Sequence, residues 1–562
     1  MTKLVFHPAL VLILAALLLP FIRGKFRDTT IILAPTLALL CLWLLPEGKL
    51  WQVSWLDYSL APLVVDKLSR LFATVFLLLA AVGGLFALQQ PSRLEVPAAF
   101  VYAASAVGVI LSGDLISVFL FWEFMVVGST LVIWAANTPA AWAASRRYVV
   151  IHLAGGVILF AGICGYILSS GEVSFQSMQL DSPATWLILI GFLINAGAPP
   201  LSAWLPDAYP EASWSGTVFL SAFTTKTAIY VLLRGFPGNE LLIWVGLFMI
   251  FYGIFYALLE NDMRRIIAYS IINQAGFMVT GIGIGSEMAL NGVAAHAFTH
   301  IIYKALLLMS AGAVLASTGK RKCSDLGGLF RSMPITTICV CIAALTTAAF
   351  PLTSGFISKS MINQAAIDGH LQTVWLLLVV ASAGVILHVA IRFPWLVFFH
   401  KDSGLRPTDP PASMRWAMIL LAILCIAFGI WPELIYSNLP YRIDYVPYTS
   451  AHVITQLQLI LFSVLAFLLM PGFLKRSPAI TLDSDWFWRK GGPDLIRKLS
   501  FIWRRGSTSI INGYTTQKHY VTNQLINQQN SGGRFIRSKS ASYMSLWVMV
   551  MLVTYLVVFF FI

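Results

Sequence analysis

His296, His300 and Lys304 recur every fourth residue in HAFTHIIYKALL, within a segment otherwise apolar enough for lipid. An α-helix stacks residues so spaced on one face, one turn apart. Three more ionisable residues lie deep in apolar runs: Glu123 in LISVFLFWEFMVVGSTLVIWA, Lys226 in GTVFLSAFTTKTAIYVLLR and Lys359 in PLTSGFISKSMI. A charge at the bilayer centre costs about 2.5–3.5 kcal/mol on insertion scales. A lysine held out of water can lose and regain a proton as a neighbouring charge changes, and histidine is suited to the same exchange. A row of Glu123, Lys226, His296, His300, Lys304 and Lys359 through a hydrated interior would pass protons, each neighbour's charge gating the next. Each residue also has a purely structural role open to it: a neutral hydrogen-bonded acid, a structural counter-ion, a satisfied core histidine. His-x-x-x-His suits a helical zinc pair, but no third ligand lies near it in sequence, so no metal is expected. His152 and His388, single histidines on apolar stretches, read as packing residues.

Helices must position these groups. Of 562 residues, 58% are hydrophobic and only 11% charged, with a mean hydropathy of +0.80; soluble domains carry about 25% charged residues. Apolar runs long enough to span a bilayer recur along the chain, which predicts an all-α polytopic membrane protein of about sixteen transmembrane helices. The first, over 4–22, lacks a small-residue cleavage site and reads as a retained helix. The net charge of +13 reflects topology rather than nucleic-acid binding. With the N-terminus outside, Arg146, Arg147, Arg264, Arg265, Lys320, Arg321 and Lys322 all fall in inner loops, the positive-inside pattern. The six cysteines show no C-x-x-C or other cluster spacing, so no iron–sulfur, haem or zinc framework is expected.

Two spans are interrupted. INAGAPPLSAWLP places Pro199 and Pro200 in mid-segment, and AAFPLTSGFISKS places Pro351 and Gly355 there. Proline removes a donor and clashes with the preceding turn. A broken helix in lipid persists where protein or a hydrated cavity satisfies the freed carbonyls, and paired discontinuous helices point to a transport site. From 477 to 544 the chain turns polar and basic. There DLIRKLSFIWRR sets Leu495, Ile496, Leu499, Ile502 and Trp503 on one helical face with basic residues opposite, as in a helix lying along a membrane surface. The span 545–562 then forms a terminal anchor.

Taken in order, PPLSAWLPDAYPEA, SAFTTKTAIYVLLR, ENDMRRIIAYSIINQAGF, HAFTHIIYKALLLMSAGAVL and FPLTSGFISKSMI resemble one family. It is the antiporter-like proton-translocating membrane subunits of respiratory complex I and the Mrp-type Na+/H+ antiporters. The wording is closest to the D-type Mrp subunits, and the resemblance covers about 100–400. It implies two inverted five-helix repeats, each with a broken helix. The expected organisation is N-terminal helices over 1–95, repeats over 96–235 and 240–400, further core helices over 401–476, the basic interfacial segment over 477–544 and the anchor over 545–562. Glu123, Lys226, the row His296, His300 and Lys304, and Lys359 match the family's proton-carrying positions. The basic segment is similar to a lateral helix, although Gly491, Gly492, Pro493, Gly506, Gly513, Gly532 and Gly533 would interrupt it. One departure stands out. Asn195 occupies the position of a family lysine that pairs with the glutamate, and Ser202 stands where histidine is common. Glu123 then needs another partner, such as Lys226 or water.

The function so implied is H+ movement within a multi-subunit bacterial inner-membrane assembly, with Na+ as a candidate exchanged ion. No cofactor is expected, and any redox chemistry belongs to partner subunits. The rival expectations are a non-conducting assembly component, and a component energising uptake of another solute such as inorganic carbon.

Overall fold

The computed structural model describes residues 6–470 apart from Ile443, together with Asp483 and parts of 486–503, 518–524 and 546–554. The chain forms two compact units, Met1–Asp485 and Trp486–Ile562. In the second, residues 494–501 are helical and Leu495, Ile496, Leu499 and Trp503 are exposed. Ile502, most of the basic segment and most of the 545–562 anchor lie outside the described residues.

The first unit opens with α1 (Pro8–Leu18) and α2 (Gly24–Leu44). Next comes a hairpin, β1 (Gly48–Trp55) and β2 (Tyr58–Val65), antiparallel with Trp55 opposite Tyr58. The all-α expectation is therefore corrected. LWQVSW and YSLAPLVV alternate, and Ala61, Leu63 and Val65 form the buried face, as a strand's period of two requires. Trp and Val also fill the outward positions, which hid the alternation. The hairpin docks through Gly113 N–H on the Ala61 carbonyl (2.8 Å) and Ala61 N–H on Asp114 Oδ2 (2.8 Å).

The chain continues through α3 (Lys67–Phe86), α4 (Glu95–Leu111), α5 (Leu115–Trp134), α6 (Pro139–Ser170), α7 (Pro183–Ala196) and the short α8 (Trp204–Ala208). Then follow α9 (Gly216–Ala222), α10 (Thr224–Gly235), α11 (Leu241–Leu259), α12 (Met263–Ile284) and α13 (Glu287–Thr318). The rest comprises α14 (Pro334–Thr347), α15 (Ser354–Asp368), α16 (Gln372–Val385), α17 (Ala412–Ile430), α18 (Glu433–Tyr436) and α19 (Ser450–Leu469). Among the described residues, eleven helical stretches are long and apolar enough to cross a membrane, and four shorter apolar helices accompany them. The protein is a polytopic helical membrane protein.

The stretch 333–366 is interrupted at Pro351 as expected, giving α14 and α15, while two other expected spans differ in detail. The stretch 215–234, expected to be continuous, breaks at Phe223 into α9 and α10. Past α16, Ile386–Arg392 and Trp395–Phe399 are π-helical, a local geometry frequent at functional sites.

Matching features recur at one spacing. Asp114 and Asp262, 148 positions apart, each cap the N-terminus of the next helix. Each also forms an isolated bridge, to Ser174 and Lys322, again 148 apart. Between these points lie α6 and α13, both 32 residues long, capped by Thr138 and Ser286 and closed by left-handed Gly171 and Gly319. The interior is formed by helices without a lipid-facing side: Gly216–Gly235 and Met263–Ile284 are wholly buried over their apolar windows, as expected of helices enclosed by others.

Candidate functional site

Each of three chain breaks frees backbone groups, and side chains take them up. Between α14 and α15, Ala349 and Leu352 adopt left-handed φ values of 55° and 66°, and Phe350 N–H reaches back to the Leu345 carbonyl (3.0 Å). The Thr347 carbonyl then accepts from Lys359 Nζ (3.0 Å), and the Ala348 carbonyl from Gln456 Nε2 (2.7 Å). Gly355 has to be glycine: a Cβ there would overlap the Thr346 carbonyl oxygen.

After α7 the same turn recurs. Gly197 is left-handed (φ 81°), Ala198 N–H bonds the Leu193 carbonyl (3.0 Å), and Trp204 Nε1 bonds the Ile194 carbonyl (3.0 Å). Pro199–Pro200 follows directly. Here, however, Asn195 Nδ2 and Ser202 Oγ are buried without a hydrogen-bond partner.

The third break has neither proline nor glycine. Thr224 N–H donates to Tyr102 OH (2.9 Å), and Lys226 Nζ donates to the Ser221 carbonyl (2.9 Å) and Thr225 Oγ1 (3.0 Å). A side-chain hydroxyl and an amine thus replace the i→i−4 ladder. Two of the expected proton carriers, Lys226 and Lys359, therefore hold carbonyls released by interrupted helices.

The α13 row lies between them, fully buried. His296 Nε2 donates to Gln274 Oε1 (3.1 Å), which also accepts from Tyr303 OH (3.2 Å). His296 Nδ1 faces Ser358 Oγ at 3.0 Å. Gln274 Nε2 donates to Asn273 Oδ1 (2.7 Å), and Asn273 Nδ2 meets His388 Nε2 (3.1 Å), whose Nδ1 bonds the Gly384 carbonyl (2.7 Å). His388, expected to be a packing residue, is thus joined to His296 through two amides. Lys304 Nζ donates to Ser270 Oγ (2.5 Å). Both ring nitrogens of His300 are buried without a partner. The charges of Lys226, Lys304 and Lys359 all reach His296 and His300 electrostatically. A cavity of about 240 Å³ adjoins Lys359, with Ser360, Asn363, Gln364, His452 and Gln456 set among mostly apolar lining such as Phe356, Trp375 and Leu459, large enough for several waters.

Glu123 stands apart. It is half-buried on α5, its Oε1 lacks a partner, and the described ion pairs do not include it. It forms no direct ion pair with Lys226, whose amine donates instead at the α9–α10 break. At the C-terminal end of α10, Arg234 bonds Asp66 Oδ2 (2.6 Å). Burial alone would raise the Asp66 carboxyl, but the Arg234 charge and the Ser69 N–H hold it below the ordinary carboxylate value.

Residues 112–385 match the NADH:quinone oxidoreductase/Mrp antiporter transmembrane family. The D-type Na+/H+ antiporter subunit of Alkalihalophilus pseudofirmus is 31% identical over 336 residues, covering 54% of this chain and 68% of that one. The chain belongs to the NADH:quinone oxidoreductase/Mrp antiporter family. A probable K+/H+ antiporter protein of Rhizobium meliloti, of the combined A/B type, is 31% identical over 357 residues, 59% of this chain but only 36% of that longer protein. A chain of the membrane-bound sulfane sulfur reductase, an archaeal respiratory membrane complex, shares the fold with a TM-score of 0.72 at 23% identity, over 98% of this chain and 99% of the other.

Two elements of this antiporter-family chain escaped the sequence reading. Glu95, fully buried on α4, accepts from Ser213 Oγ (2.6 Å) and Ser215 Oγ; its place at the first turn of a helix resembled a loop acid. Arg147 clamps buried Asp207 through two bonds (2.7 and 2.9 Å), joining α6 to α8. Each lies at a span edge, where sequence alone places charge in solvent.

Proposed function

We propose that the chain is a proton-translocating subunit of a multi-subunit Mrp-type cation/proton antiporter or complex I-like assembly. It would sit in a bacterial inner membrane with its N-terminus outside. The observation that carries this is the pairing of Lys226 and Lys359 with carbonyls freed at helix breaks. Closing a break would withdraw the carbonyl and change what the amine is bonded to, which couples backbone movement to gain or loss of a proton. Lys226, the row His296, His300 and Lys304, and Lys359 would carry the proton, with Glu123 at the start and the Lys359 cavity as the outlet. The 148-residue recurrence of caps and bridges supports 96–235 and 240–400 as two five-helix repeats, inverted because five crossings reverse direction. The chemistry asked of this chain is ion movement, with Na+ as a candidate counter-ion and any redox step in partner subunits.

The test is proton flux in vesicles carrying the assembled complex with Lys226→Ala, Lys304→Ala or Lys359→Ala. Loss in each is expected, and wild-type flux in all three with normal assembly would refute the assignment. The neutral, unpartnered Asn195 favours one second reading, a non-conducting assembly component. A wild-type complex silent until Asn195→Lys is introduced would establish that instead.

A further inference from the structure

His152 lies on α6, fourteen residues into a 32-residue helix, and His300 lies fourteen residues into the 32-residue α13. The two are 148 positions apart, the spacing of the matching caps and bridges. Both rings are buried, and all four ring nitrogens lack a hydrogen-bond partner. Buried polar atoms seldom go unsatisfied, and four such atoms at two matched places are not accounted for by packing.

The surroundings of His152 say what it can do. One turn further along α6, Gly156 lies so close against the Glu123 carboxylate that a Cβ would overlap Oε1. Four residues are one turn, about 6 Å along a helix, so the Glu123 carboxyl rests against α6 one turn beyond the residue that bears the imidazole. Asn195 faces the ring at the margin of hydrogen-bond geometry, close enough to act on it. On the other side the ring packs on Tyr148 (centroids 4.0 Å) and Trp204 (4.5 Å). Tyr148 shares its interior with Tyr209, Tyr102 and Thr224, and Tyr102 OH meets Thr224 Oγ1 at 2.5 Å, two residues before Lys226.

We propose that His152 is a proton-carrying residue, linking Glu123 to the Lys226 side through the unpartnered cluster at Asn195. This rests on the translocation function proposed above. Glu123 gives up its proton and becomes a carboxylate as His152 becomes an imidazolium. His152 then releases a proton from its other nitrogen along the hydroxyls and bridging water towards the Lys226 amine.

The test uses the full chain in its complex, in inverted vesicles, with proton flux as the readout and copurification as the assembly control. His152→Asn should lower flux about a hundredfold or more, in the range of a lost acid–base group. Adding Asn195→Lys should restore it, because a protonatable group then faces the same site. His152→Lys should keep flux where His152→Met does not, and this pair decides the matter if His152→Asn fails to assemble. Wild-type flux in His152→Asn or His152→Met, or a loss that neither lysine repairs, would overturn the proposal. Lys304→Ala separates the two failures: if it abolishes flux while His152→Asn does not, only the role of His152 falls. If it leaves flux intact, translocation through the α13 row fails.

Discussion

The break at Phe223 depends on one hydroxyl, which makes Tyr102→Phe an informative perturbation. Tyr102 OH accepts the Thr224 N–H at 2.9 Å in a fully buried setting. Removing that oxygen orphans the N–H, at a cost of about 1–3 kcal/mol. The chain can recover this by winding α9 into α10, which returns Thr224 N–H to the Leu220 carbonyl and the Ser221 carbonyl to the helical ladder. Lys226 Nζ then loses the Ser221 carbonyl it holds at 2.9 Å. A bias of about 2 kcal/mol towards the closed helix is about a 30-fold shift in population, so flux should fall by that order while the complex still assembles. The assay is proton flux in vesicles, with amide hydrogen exchange across 218–228 showing whether the interrupted segment has gained protection. Wild-type flux with unchanged exchange would refute the link between the hydroxyl, the break and the lysine.

Gly355→Ala should force α15 away from the Thr346 carbonyl, cost about 1–3 kcal/mol as overpacking, and take Lys359 from the Thr347 carbonyl. Thermal unfolding should show the first effect and flux the second; normal values in both would count against the packing described. The Asp66 carboxyl is held low, so its contribution is complete above the unfolded carboxylate value of about 3.9 and is lost as pH falls through the lower folded value. Asp66→Asn should therefore lower the thermal midpoint at neutral pH and flatten its decline on acidification, as a pH series of unfolding scans in detergent would register.

Much of the candidate site was legible because charge in an apolar run is conspicuous: Glu123, Lys226, His296, His300, Lys304 and Lys359 are candidates from that contrast alone. The two proline breaks were legible for a similar reason, since proline cannot continue the ladder. The third was not. Its cause is Tyr102, 122 positions before Thr224, and nothing local in SAFTTKTAIY signals an interruption. Gln274 and Asn273 were invisible as connectors because a buried amide is noticed only once its partners are known, and with them went the link to His388. The hairpin was missed because Trp and Val occupy the outward positions of β1, which blurs the alternation that normally marks a half-buried strand. The correspondence of His152 with His300 could have been read from numbering alone, but only after matching caps fixed the register.

The lengths of the helices have a consequence for how the protein meets its lipid. At about 1.5 Å per residue, α6 and α13 reach about 48 Å, well beyond a hydrocarbon core of about 30 Å. Each can lean or project without moving its central histidine out of the interior. In contrast, α7 and α14, with 14 residues each, reach only about 21 Å, so neither crosses alone and each hands over to a second piece inside the bilayer. A thicker or thinner bilayer would therefore be absorbed by the long helices and felt at the joints of the short ones. Membrane thickness becomes a setting on the break that holds Lys359 and on the turn beside Asn195.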